Sequence, residues 1–146
     1  MLKKLLINYN LYLKIILIFL VLLRPTLADI IKPSINIEPK EVVKIQLSAL
    51  MKNDFPNIDS GIIQTWEFAH PNNQKVTGPI EKFKNMLKND SYSMLLNHSN
   101  HEVLEVYKSN RVATFEVTVL DKEKKYYKFK WQVEKYTIEG SLKDCW

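Results

Sequence analysis

An α+β domain, with N-terminal helices packed on a curved antiparallel sheet, is the fold class this chain predicts. Three observations carry the prediction. Ala113 to Val133 holds two adjacent runs in which apolar and polar residues alternate strictly. Upstream, three segments carry apolar residues at helical spacing instead. The order, helices first and strands after, belongs to an α+β domain.

The first 28 residues read as a signal peptide and not as part of the domain. Lys3, Lys4 and Lys14 make a positive start, and Ile15 to Leu23 is an unbroken apolar run. Pro25 breaks it, and Thr26-Leu27-Ala28 offers small residues where an export peptidase reads. Cleavage after Ala28 is the expectation, with an uncleaved anchor as the alternative. A spanning helix needs ~20 apolar residues, and Leu5 to Leu23 reaches that only by including Asn8, Asn10 and Lys14. The chain is then exported to a periplasm, lumen or extracellular space, or anchored facing that side.

The leader also explains the formal charge of +5. It holds four of the 21 basic residues and none of the 16 acids, which leaves the remainder near +1. That balance argues against a nucleic-acid partner. Membrane contact is expected only through the leader, if it is retained. With 146 residues the chain has room for one domain, drawn here as a linker over 29–38 and a body over 39–146.

Pro39 suits a first helical position. Val42, Val43, Leu47 and Leu50 then form one apolar stripe, ending near Asn53 before Pro56. Asp59-Ser60 offers capping residues for a second helix, with Ile62, Trp66 and Ala69 on one face and a stop at His70 before Pro71. Asn72 to Thr77 reads as a polar loop. Gly78-Pro79 opens a third helix, proline again first, with Ile80, Phe83, Met86 and Leu87 as its stripe. Glu102 to Tyr107 is an expected strand, Lys108 to Asn110 a turn, and Ser141 to Trp146 a final strand.

The hairpin sets its own register, because a slip of one residue would turn every core side chain of one arm to the other face. A three-residue loop, Lys122 to Lys124, puts Val117 opposite Phe129 and Phe115 opposite Trp131. It also puts Glu116 opposite Lys130 on the wet face, an exposed pair worth ~0.2–1 kcal/mol. The run KEKKYYKFK is therefore read as aromatics facing in and lysines facing out.

The middle of the chain is more particular than its periodicity requires. It contains Trp66, Phe68, Ala69, Pro71 and Asn73, then Thr77-Gly78-Pro79, Phe83 and Met86, then Asn97-His98, and at the end Cys145-Trp146. From about Glu41 to Trp146 this set resembles an uncharacterised family, a domain of unknown function of bacteria and photosynthetic organisms. The resemblance implies a fold similar to nuclear transport factor 2 and the cystatin-like group, a cone of helices and bent sheet around an apolar cavity. That family runs past its Cys-Trp pair, which implies a shortened last strand here. The resemblance brings no activity and no catalytic residues.

Candidate sites are few. Trp66, Phe115, Val117, Tyr127, Phe129 and Trp131 would line such a cavity or fill it. Glu116 falls on the opposite face, so no carboxylate is offered inside for acid–base chemistry. His98 and His101, with His70, fall short of a metal set of three or four ligands held together, and are read as solvent-facing or capping. His70-Pro71 and Asn73 shape a helix-to-loop exit. Cys145 is alone, and a buried inert thiol is the expected role. Asn89-Asp90-Ser91 and Asn97-His98-Ser99 match the glycosylation acceptor pattern, which matters only in a eukaryotic secretory pathway. With three glycines there is no phosphate-binding loop.

The functional expectation is a non-enzymatic exported module without a cofactor, holding a small apolar ligand or a protein partner, with a homodimer left open. The rivals are an isomerase- or hydrolase-like enzyme in the same cavity and a membrane-tethered assembly factor.

Overall fold

A computed structural model describes residues 29–146 of the chain. The expected signal peptide lies outside the described residues. Four α-helices pack against a three-stranded antiparallel sheet. The helices are α1 (Pro39–Met51), α2 (Ser60–Glu67), α3 (Pro71–Thr77) and α4 (Ile80–Lys88), and a 3-10 turn covers Ser93–Leu95. The strands are β1 (Asn100–Lys108), β2 (Val112–Leu120) and β3 (Tyr126–Glu134), in the order β1-β2-β3.

The register is the one that alternation requires. Val117 faces Phe129, Phe115 faces Trp131 and Glu116 faces Lys130. The loop closes through Asp121, whose N–H donates to the Lys125 carbonyl at 3.0 Å and whose carboxylate accepts the Lys125 N–H at 2.9 Å. On the wet face the ion pair of Glu116 goes to Lys128 at 2.9 Å, one diagonal step from its direct neighbour. The β1–β2 ladder shifts register between Glu105 and Tyr107.

α1 seats on the dry face. Val42, Val43, Leu47 and Leu50 are fully buried, as are Phe115, Val117 and Val119 of β2. Each such side chain contributes roughly 1.5–3 kcal/mol by leaving water. α2 lies against α1 so closely that Gly61 is required. A Cβ there would stand 2.1 Å from the Ala49 carbonyl oxygen and 2.8 Å from the Asn53 Cα.

Several local expectations are corrected. α2 is not capped by the Asp59 side chain. Asp59 is in the left-handed region, φ 65°, and its carboxylate turns to Lys88 at 2.8 Å. The capping oxygen comes from Asn53, buried at the tail of α1, whose Oδ1 accepts the Ile62 N–H at 3.0 Å. α2 stops at Glu67, short of His70. Residues 72–77, expected as a loop, belong to α3, because the His70 ring accepts the Asn72 N–H at 3.2 Å and Pro71 stands at the first helical position. Pro79 precedes α4 as its N-cap and is not its first residue.

The final strand is absent among the described residues. Gly140 (φ 142°) and Asp144 (φ 63°) both leave extended geometry. The segment folds instead into a turn pinned on Tyr136, whose N–H donates to the Cys145 carbonyl at 2.8 Å and whose carbonyl accepts the Asp144 N–H at 2.7 Å.

Gly61→Ala tests the α1–α2 contact. Alanine ordinarily stabilises a helix by about 1 kcal/mol over glycine, and a clash with backbone outweighs that. Urea unfolding is expected to show a net loss of about 2 kcal/mol or more. An unchanged or raised midpoint would mean that the helices do not meet there.

Candidate functional site

At the β3 edge the sheet is only partly covered, and a cleft of about 460 Å³ opens beside it. That size falls within the range of small-molecule sites. One wall is the dry face of β3, with Phe129, Trp131 and Val133. The other comes from Phe83, Met86 and Leu87 of α4 and from Phe68, Ala69 and His70 at the exit of α2. The C-terminal turn closes one end with Cys145 and Trp146. Lys135 sets its ammonium 4.9 Å from the Trp146 ring centre, a cation–π contact.

Polar groups at the floor are already occupied. Gln46 is buried on the apolar stripe of α1. Its Oε1 accepts the Trp131 indole N–H at 2.9 Å, and its Nε2 donates to the Thr65 carbonyl at 3.2 Å. Thr65 Oγ1 donates to the Gly61 carbonyl at 2.8 Å. One amide thus ties α1, α2 and β3 together.

The rim is different. Because His70 Nδ1 accepts the Asn72 N–H, the neutral ring carries its proton on Nε2. Tyr136 meets the same ring edge-on, centres 5.6 Å apart. Neither His70 Nε2 nor the Tyr136 hydroxyl makes a hydrogen bond among the described residues. The arrangement is a cleft with an aromatic and aliphatic wall and a polar border that includes His70, Asn72, Asn73 and Tyr136.

The cleft gathers many of the residues singled out in the sequence. Phe129 and Trp131 line it, as do Phe68, Ala69, Pro71 and Asn73. So do Thr77, Phe83, Met86, Cys145 and Trp146. Phe115 and Val117 lie deeper, fully buried beneath α1, and Tyr127 is half-buried farther along β3. Trp66 packs on Phe83, ring centres 5.0 Å apart, outside the lining. Gly78 and Pro79 form the joint between α3 and α4. Cys145 is buried, and its Sγ makes no hydrogen bond among the described residues.

Asn97 has a structural place. Its N–H donates to the Leu50 carbonyl at 2.8 Å, and its Nδ2 donates to Asp54 at 2.7 Å. With a φ of 54° it occupies a conformation that asparagine tolerates better than most residues. The Asn97 amide, and next the Asp59 N–H, hold the Asp54 carboxyl below its ordinary range.

His98 corrects the expectation of a solvent-facing ring. It is buried, with Nδ1 2.7 Å from the Leu95 carbonyl and Nε2 2.8 Å from His101 Nδ1. A carbonyl only accepts, so His98 Nδ1 carries the proton, His98 Nε2 accepts, and His101 Nδ1 donates. Among the described residues no third metal-ligating side chain joins the pair. Gln46, and the burial of His98 with its ring-to-ring contact to His101, are what sequence reasoning missed. Gln46 could have been found as a polar residue inside an apolar stripe.

Burial pushes both histidines below their ordinary value of 6.5; for His101 the neighbouring His98 adds to it. As pH falls below that value the unfolded chain takes up protons that the native pair refuses. Stability is therefore full above 6.5 and is lost as pH falls toward the folded values. The Asp54 contribution is lost only in a lower window, below 3.8. The urea midpoint is expected to drop between about pH 7.5 and about pH 5.5, and His101→Gln, which retains a side-chain donor, is expected to flatten part of that slope. A flat wild-type profile would contradict the burial of the pair.

The comparisons with known proteins add one result. A family model described as a domain of unknown function, DUF4864, matches residues 34–140. No curated protein matches, and no solved structure matches. No helix among the described residues is long and apolar enough to cross a membrane.

Proposed function

The chain belongs to the DUF4864 family, a domain of unknown function, and on that premise we propose that it is a non-enzymatic binding module whose cleft holds one small apolar molecule with a polar end. The observation that carries this reading is the division of polarity in the cleft. Phe129, Trp131, Phe83 and Met86 give it an apolar lining, and the buried Gln46 and Thr65 side chains are satisfied internally. Other polar groups that line it, among them His70 Nε2, the Tyr136 hydroxyl and the Asn72 and Asn73 side chains, make no hydrogen bond among the described residues. A ligand would bury its apolar body against Phe129, Trp131 and Met86 and present its polar end to His70 and Tyr136. Few polar contacts in an apolar cavity set orientation more than affinity.

Catalysis would need an activated nucleophile or a base held by a second group. Asn72 orients the His70 ring only through its backbone, and the Cys145 thiol has no partner base among the described residues. This favours binding over turnover. On the evidence of its leader the module acts outside the cytoplasm, and the cone-like framework implied by the family resemblance would suit such a site.

Native mass spectrometry of the full chain purified from its own host tests the reading. The wild-type protein is expected to carry a non-covalent small molecule that organic solvent releases. Ala69→Phe, which sets a ring into the cleft, is expected to lose that mass while its urea stability changes by no more than about 1–3 kcal/mol. Wild-type protein that carries nothing, or a mass retained by a folded Ala69→Phe variant, would overturn it.

A further inference from the structure

A second groove, of about 970 Å³, runs between the entering segment and the α1–α2 pair. Ile45 and Val103 lie at its floor, half-buried, and Ile30 and Ile31 at its side. Its lip carries Phe55 and Ile58 from the α1–α2 loop, 75% and 78% exposed. Two large apolar side chains held open this far, beside two more, form the kind of patch that marks a contact surface.

The charge beside them is mainly positive. Lys40 and Lys44 line the groove four residues apart on α1, and Lys52 lines it from the C-cap of that helix. Facing them are Asp29 and Glu41, the latter 3.7 Å from Lys44. Lys40 and Lys52 form no ion pair among the described residues.

The chain also enters at this face. The Ile31 N–H donates to Gln64 Oε1 at 2.8 Å, and Gln64 Nε2 donates to the Ile31 carbonyl at 2.9 Å. The point where residues 1–28 join the body is therefore tied to α2. Those residues contain Ile15 to Leu23, an apolar run bounded by Lys14 and Arg24. Hydrocarbon with flanking cations is the same chemistry as the groove and its lip.

We propose that this face rests on an anionic lipid surface, with Phe55 and Ile58 in the interfacial layer and Lys40, Lys44 and Lys52 at the level of the phosphates. The two contributions act together: apolar side chains insert a short distance, and lysines are attracted to anionic headgroups within a Debye length. The surface is separate from the cleft, whose mouth at His70 and Tyr136 is not part of the groove lining. The proposal therefore does not depend on the binding reading.

The test uses the full chain with Cys145→Ser and a single thiol-linked environment-sensitive fluorophore, placed either at Ile58→Cys or at Tyr126→Cys. Tyr126 is exposed on the sheet face turned away from the helices. Vesicles are an equal mixture of phosphatidylglycerol and phosphatidylcholine, with nitroxide on the acyl chains. The label at 58 is expected to shift to the blue and to lose most of its emission to the nitroxide, while the label at 126 does neither. Replacing phosphatidylglycerol by phosphatidylcholine, or adding salt, is expected to weaken the effect at 58. Silence at both positions, as a soluble protein partner or a second copy on this face would produce, overturns the proposal. So does an equal response at both positions, which the leader alone would cause, or a response at 58 that ignores lipid charge.

Discussion

A three-stranded sheet can be dried on one face only by something laid across it, and here that is α1. The Val42, Val43, Leu47 and Leu50 stripe sits over Phe115, Val117 and Val119, and all of these side chains are fully buried. The rest of the molecule is arranged around that contact. α2 is pressed on α1 at Gly61, the α1–α2 loop is stitched by Asn53, Asp54 and Asn97, and the hairpin register keeps every lysine of β3 outside. A buried amide in the middle of such a stripe would cost stability if left unpaired. Gln46 avoids that cost by serving Thr65 and Trp131 at once.

The same contact explains where the cleft lies. α1 covers β2 fully and β3 incompletely, so Phe129 and Trp131 stay half-buried while Phe115 and Val117 do not. The exit of α2, the α4 helix and the C-terminal turn approach β3 from the side and leave a slot that they do not fill. The proposed binding cleft thereby lies at the less protected edge of the core, where residues have apolar surroundings and access to solvent. On the side of the second groove, Ile45 and Val103 pack against the core, while Phe55, Ile58 and the lysines at the lip stay uncovered.

Much of this was legible in the chain because alternation and helical spacing are consequences of burying one face. The hairpin register followed from matching apolar with apolar, and the α1 stripe from the spacing of Val42, Val43, Leu47 and Leu50. What failed was of another kind. The α3 helix has a single large apolar side chain, the exposed Val76, and no buried residue, so its pattern carried no signal, and its start depends on a histidine ring used as a cap. Asp59 was misread as a cap because the true cap, Asn53, belongs to the preceding element. The C-terminal turn was misread as a strand because positive φ at Asp144 leaves no mark in an apolar pattern. Gln46 and Tyr136 become meaningful only when distant elements meet, as when Trp131 arrives 85 residues after the amide it donates to.

The central claim, that α1 and β3 close on each other through Gln46 and Trp131, has a direct readout. The chain holds three tryptophans, Trp66, Trp131 and Trp146, and hydrogen exchange of their indole N–H groups can be followed individually by NMR. The account predicts that the Trp131 indole proton exchanges far more slowly than the other two, because it alone donates to a buried acceptor among the described residues. Three indole protons exchanging at the same rate would contradict it.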